Sequence, residues 1–268
     1  MLMAWVNLKE VRLVSVVTPV SDVLPFSDCN LMSQHSSSSD TLSDTAQSTQ
    51  SSLRTEQKGV VVLVHGLWYR AAGMKLLASR LRRRGYRVVS FDYPSVFGQI
   101  SEQTQALRRC IEREQCPVFL VGHSMGGLLI LRALNEFTQL QVPRAVLLGS
   151  PVRGSGVARR LAKRWWSQWI VGANADLLGQ GARAPKSTQV GVLAGNRNVG
   201  VGRVLGGVGG HGDGTVSVGE TRLAGAQDEI ILPVTHTGMV MSAMVARQVD
   251  AFLQQGCFHD ETMVQTTE

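Results

Sequence analysis

Cysteine, acidic groups and long apolar runs are all in short supply in this sequence, and each shortage narrows what the chain can be. Its 268 residues hold four cysteines, Cys29, Cys110, Cys116 and Cys257. No two form a C-x-x-C pair, which argues against a zinc site, and four scattered thiols make no disulfide framework. One bridge between Cys110 and Cys116 stays open as an option. A reducing compartment is the expectation. No apolar stretch reaches the ~18–20 residues of a membrane-spanning helix. The N-terminal run MLMAWVNLKEVRLVSVVTPV is interrupted by Lys9, Glu10 and Arg12. It has neither the unbroken core nor the cleavage site of a signal peptide. A cytoplasmic protein is therefore expected, with contact at the inner membrane face left open. Acidic residues number 20 against 27 basic ones, for a net charge of +7. That excess permits weak peripheral contact with anionic lipid and is as readily a solvated surface. No nucleic-acid partner is expected.

What the chain does have is apolar side chains, 44% against 18% charged, enough for a substantial core. They are unevenly placed. Residues 33–54, SQHSSSSDTLSDTAQSTQSSLR, are too polar to offset the entropy of ordering. Residues 1–58 are therefore expected to be a disordered leader, with Met32 an alternative start. The folded domain is expected over 59–256 and a tail over 257–268.

Within the domain the pattern alternates. VVVLVHGLW (60–68), RVVSFDYPS (87–95), PVFLVGHS (117–124), RAVLLGSPV (144–152), QVGVLAGN (189–196) and EIILPVTH (229–236) carry the β-branched, apolar character of strands buried on both faces. Helical spacing falls at 71–86, 101–114, 125–137 and 237–256, the last as one long closing helix. Strands alternating with helices predict an α/β domain, a mostly parallel sheet with helices on both faces.

Between the third strand and its helix lies GHSMG (122–126), a G-x-S-x-G sequence. A serine at a sharp strand-to-helix turn is lifted above the sheet edge, and glycines permit the close approach of strand and helix. An ordinary tight turn would use the same glycines, so the remaining residues must decide. A serine hydroxyl needs a base. His35 is in the leader and His259 in the tail. The His123 side chain is expected to diverge from the serine, and His65 is expected to be structural. His211 and His236 remain, and His236 ends the last strand, at the edge Ser124 occupies. The base needs an orienting carboxylate. Asp213, in the loop HGDGTVSVGET, gives the order Ser124, Asp213, His236. Asp92, at the end of the second strand, is the rival acid. An oxyanion would need two fixed N–H groups. Met125, at the start of a helix, supplies one, and Leu67, after Gly66, supplies the other.

VVVLVHGLW, VGHSMGG, DGTVSV and THTGM together resemble the α/β-hydrolase superfamily, in its bacterial lipase and esterase branch, including relatives of GPI-inositol deacylases. The likeness spans about residues 59–256. It implies a serine hydrolase acting on small-molecule or lipid esters, without cofactor or metal. Ser124 would be the nucleophile, Asp213 the acid, His236 the base, and Leu67 and Met125 the oxyanion donors. A thioesterase, an acyltransferase or a non-catalytic binding protein would share the pattern. There is room only for a small cap insert, and SGVARRLAKRWWSQWI (155–170) fits one. Arg159, Arg160, Lys163 and Arg164 share one face, and Val157, Leu161, Trp165 and Trp169 the other. Trp68, Trp165 and Trp169 are the candidate substrate contacts. GVGGHG (207–212) matches G-x-G-x-x-G but neither follows a strand nor opens a helix, so the dinucleotide interpretation fails. The basic run RLRRRGYR (80–87) reads as a solvated helix end.

Overall fold

Six short strands carry the fold: β1 (Val60–Val64), β2 (Arg87–Phe91), β3 (Val118–His123), β4 (Arg144–Leu148), β5 (Gln189–Gly195) and β6 (Asp228–Leu232). A computed structural model describes residues 58–67, 71–95, 99–154, 183–199 and 211–259. The strands form one sheet in the order β2-β1-β3-β4-β5-β6, and every neighbouring pair is parallel. Five helices are described: α1 (Lys75–Arg82), α2 (Ile100–Glu112), α3 (Met125–Glu136), α4 (Val218–Thr221) and α5 (Ala243–Gln255). No helix among the described residues is long and apolar enough to cross a membrane.

The uniform apolarity of the strands has a direct cause. A parallel sheet needs crossover helices, and these cover both faces, so successive side chains of one strand are all buried. All five residues of β1 are buried. Val61 and Leu63 point to the face where Leu77 and Leu81 of α1 meet Val245, Val249 and Phe252 of α5. Val60, Val62 and Val64 point to the other face, against Leu107 and Ile111 of α2 and Leu129 and Ile130 of α3. The sequence-predicted architecture is the one observed.

Strand order also creates the site. The chain passes from β1 to β2 on one side and then returns to place β3 on the other. At such a switch point the loops leaving adjacent strands diverge and open a crevice at the carboxyl ends of the strands. The two strands flanking it are β1, followed by Gly66 and Leu67, and β3, followed by Ser124.

Several boundaries differ from the sequence expectation. The last strand ends at Leu232 rather than reaching His236. Pro233 follows, with no N–H to continue the ladder, so His236 sits in a loop free to turn toward the sheet edge. The closing helix is not continuous. A 3-10 turn (Gly238–Met241) precedes α5, and extended Ser242 (φ −81°, ψ 132°) separates them. The Ser242 hydroxyl accepts from the Val245 amide at 3.3 Å, as an N-cap does. The first predicted helix likewise divides into a 3-10 turn (Ala71–Met74) and α1. One short helix, α4, has no counterpart in the periodicity. Its signal is the capping box of Ser217 and Glu220.

Contacts of the sheet and helices continue on either side of 59–256. The Lys58 amide donates to the Gly85 carbonyl at 3.0 Å. The Phe258 amide donates to Asp228 at 2.7 Å, and its ring packs against Phe252. The basic run at 80–87 is only partly a solvated end. Arg80 donates to the Met241 carbonyl, Arg84 pairs with Asp250 at 3.7 Å, and Arg87 pairs with Glu114. The expected leader (all but Lys58) and the cap insert with Trp165 and Trp169 lie outside the described residues, as does Trp68. Cys110 and Cys116 are not bridged to each other, and both pack against the same core cluster.

Leu129 is fully buried on α3, directly behind the turn that carries Ser124. Leu129→Ala removes buried apolar volume that neighbouring strands cannot refill. Urea unfolding is expected to show a loss of about 2–5 kcal/mol.

Candidate active site

Ser124 is held in a backbone conformation that side chains seldom adopt. Its φ is 54° and ψ −122°, and it is the only non-glycine residue with positive φ among the described residues. Such a conformation costs on the order of 1–3 kcal/mol and persists only when its surroundings over-determine it. They do so here. The Ser124 amide donates to the Leu148 carbonyl at 2.8 Å, which ties the turn to the end of β4. A Cβ on Gly126 would lie 2.2 Å from the Val64 carbonyl oxygen, and one on Gly122 would lie 2.6 Å from the Gly127 backbone. Strand, turn and helix are thus packed backbone to backbone. Met125 is the first residue of α3, so its amide has no intrahelical partner. Leu67 and Met125 pack in the same cluster.

Asp213 and His236 meet directly. Asp213 is 1% exposed, and its Oδ2 accepts from His236 Nδ1 at 2.7 Å. Its Oδ1 accepts from the amides of Thr215 and Val216 at 2.9 and 2.8 Å. Three donors on one buried carboxylate satisfy the charge that burial would otherwise penalise. The backbones are joined as well, the His236 amide donating to the Asp213 carbonyl at 2.9 Å. The acid loop closes on itself, with Val218 donating to His211 and Asp213 to Val216, and α4 anchors it. Two strand-end glycines make its seat. A Cβ on Gly149, whose φ is 56°, would stand 3.0 Å from Asp213 Oδ2, and one on Gly195 would stand 2.8 Å from Asp213 Cβ. Because a carboxylate only accepts, His236 Nδ1 carries the proton in this pair. Nε2 is then the nitrogen left to take another. Among the described residues Ser124 Oγ has no hydrogen-bond partner, so its contact to His236 is open in this structure.

The rival residues are engaged elsewhere. Asp92 lies 3.1 Å from His65 Nε2 and is half exposed. His211 is exposed beside Asn196 and Ser217. His65 is buried and stacked on Tyr93. His123 was expected only to diverge from Ser124. It does more, because its Nε2 lies 3.0 Å from the His236 carbonyl, and the two rings are 4.7 Å apart. A carbonyl accepts, so His123 donates and holds the backbone of His236. No spacing in the sequence signals this, since the residues are 113 apart.

Burial, with the neighbouring His236 as a lesser cause, pushes the His123 pKa down from 6.5 to about 3. Its folded-state pKa lies below the unfolded value, so its contribution to stability is intact above pH 6.5. That contribution is lost as pH falls toward 3, because only the unfolded chain takes up the proton. Carboxylates contribute little between pH 6.5 and 5. In that interval the unfolding free energy of the wild type should fall with pH more steeply than that of His123→Gln, which keeps an amide donor without the titration. Parallel curves in urea titrations would assign the acid sensitivity to other groups.

Comparison with known proteins bears on the fold. The model of the alpha/beta hydrolase family matches residues 61–231. No curated protein sequence matches the chain. Among solved structures, a lipase of Bacillus licheniformis in its propeptide form superposes with a TM-score of 0.63 at 22% identity, over 76% of this chain and 52% of that one. The chain thus spans about half the length of that relative. The mature form of the same lipase gives a TM-score of 0.57 at 24% identity, over 74% and 91% of the two chains. A metagenomic carboxyl esterase gives 0.60 at 14% identity, over 75% and 76%. At such identities the likeness is one of fold. The family model spans the sheet from β1 into β6, Ser124 and Asp213 included, and on that match the chain belongs to the alpha/beta hydrolase family.

Proposed function

We propose that this chain is a serine hydrolase of carboxylic esters, working through an acyl-enzyme on Ser124. The observation that carries the proposal is the 2.7 Å bond between buried Asp213 and His236, at the sheet edge where Ser124 is held in its strained turn. Ser124 Oγ attacks the acyl carbonyl carbon while His236 Nε2 takes the hydroxyl proton. Asp213 keeps the ring in the Nδ1–H tautomer and balances the imidazolium that forms. The carbonyl oxygen becomes an oxyanion facing the amides of Leu67 and Met125, fixed dipoles that need no reorganisation. Collapse breaks the ester C–O bond, and His236 returns the proton to the departing alkoxide. Water then attacks the acyl-enzyme with the same base, releasing the acid and restoring Ser124.

Small-molecule or lipid esters are the substrate class we propose. A lipase and a carboxyl esterase among the structurally similar proteins point the same way. Trp68, Trp165 and Trp169 are proposed as acyl contacts, with the basic face of 155–170 available to an anionic lipid surface.

Ser124→Ala is expected to abolish labelling by a fluorophosphonate probe together with nitrophenyl ester hydrolysis, while the melting temperature stays within a few degrees. An unlabelled wild type would identify a binding protein instead. Asp213→Asn should lose about 10⁴-fold in kcat, by the precedent of the serine-protease triad. A silent Asp213→Asn would remove that carboxylate from the mechanism. Trp165→Ala with Trp169→Ala should reduce hydrolysis of long acyl esters more than of acetyl esters. Equal losses accompanied by a lower melting temperature would mark these residues as packing.

A further inference from the structure

His65 stands two residues before Leu67, and the proposed reaction gives it no role. It is 1% exposed, and its ring is constrained from several directions. Its Nδ1 lies 2.9 Å from the Gly66 carbonyl oxygen. That oxygen can only accept, so Nδ1 bears a proton and donates it. At the far side of the ring, Nε2 lies 3.1 Å from Asp92 Oδ1 and 3.4 Å from the Tyr93 amide. The ring stacks on Tyr93 with centroids 4.5 Å apart and planes 21° from parallel. The Tyr93 hydroxyl donates to the His65 carbonyl at 2.8 Å, and burial raises its pKa, so it remains a donor. This is more support than a packed core histidine requires.

The target of that support is a single peptide unit. The Gly66 carbonyl and the Leu67 N–H belong to one planar trans amide, in which C=O and N–H point in opposite directions. Whatever fixes the carbonyl therefore aims the N–H. Gly66 cannot supply that restraint itself. A Cβ there would sit 2.9 Å from Ser124 Cβ, so the position must be glycine, the residue with the least intrinsic restriction on its backbone. A misaimed donor is worth little to an oxyanion, because the stabilisation depends on preorganisation.

We infer that His65 is a positioning residue: its Nδ1–H bond to the Gly66 carbonyl locks the peptide that presents the Leu67 amide, while Asp92 and Tyr93 hold the ring. The inference rests on the proposed oxyanion site and adds to it a buried element that controls kcat without touching substrate.

Two substitutions separate the ring's nitrogens. The amide of an asparagine falls near the place of Nδ1, and that of a glutamine near the place of Nε2. His65→Gln keeps a partner for Asp92 and loses the Gly66 bond. It is expected to lower kcat for a nitrophenyl ester by roughly 10- to 100-fold, less than the ~10²–10³ of deleting an oxyanion donor. KM should stay within about twofold, since ground-state binding does not use the oxyanion amide. His65→Asn should recover most of that loss. Equal kcat in the two variants, or a better Gln than Asn, would overturn the inference. So would a loss residing in KM. Should either variant fail to fold, ¹⁵N-histidine spectra of the full-length wild type still decide: a protonated Nδ1 on His65 is expected, and an unprotonated one refutes the bond. Fluorophosphonate labelling of the wild type reports on the hydrolase proposal independently, so a failure there is distinct from a failure of His65.

Discussion

Everything at the site depends on how closely three backbone segments approach one another at the end of β3. The carbonyls of Val64 and His65, the turn at Ser124 and the first turn of α3 occupy space in which a methyl group on Gly126 would overlap a peptide oxygen. That density keeps Ser124 at positive φ, at a cost the surrounding sheet must offset. It also brings the turn at Ser124 against the loop leaving β1, where a Cβ on Gly66 would stand 2.9 Å from Ser124 Cβ. Remove the contact, and the serine relaxes into an ordinary turn.

Around this contact the protein buries polar groups and restrains their direction. His123 donates to the His236 carbonyl, His236 to Asp213, and His65 to the Gly66 carbonyl. Asp213 is satisfied by two further backbone amides. In a low-dielectric interior such bonds are strong, and an unmade one is expensive, so each fixes an orientation. Two of these histidine bonds end on carbonyls of the His236 and Leu67 segments and the third on Asp213, and none can be replaced by an apolar contact of the same shape. The helices supply stability, whereas this layer of hydrogen bonds supplies aim.

Parallel topology explains why one edge collects all of it. Every strand points the same way, so every loop after a strand emerges at the carboxyl edge. Leu67 follows β1, Ser124 follows β3, Gly149 follows β4, and Asp213 and His236 follow β5 and β6. The acid is seated where β4 and β5 end in glycines, because a side chain at either would meet its carboxylate or its Cβ. Met239, fully buried, fills the space beside both glycines and continues the core up to the Asp213–His236 pair.

Local chemistry made much of this legible from residue order. β-Branched runs alternating with helical spacing sufficed for a parallel sheet covered on both faces, because burial on two sides leaves no other composition for such strands. G-x-S-x-G between strand and helix pointed to Ser124, and chain order pointed to Asp213 and His236. Boundaries were poorer where a single residue intervenes. Pro233 stops β6 short of His236, and Ser242 restarts the last helix, effects smaller than the periodicity around them. The partners of His65 and His123 could not be read from the chain at all. His123 bonds a carbonyl 113 residues away, and His65 acts on the peptide of its neighbour only because Asp92 and Tyr93 hold the ring from the loop after β2. Sequence by itself determined which residue types are present and which strands must be buried, since both follow from local composition and spacing. Tertiary structure alone decided which histidine faces which acceptor, because that depends on distances between segments joined only through the sheet.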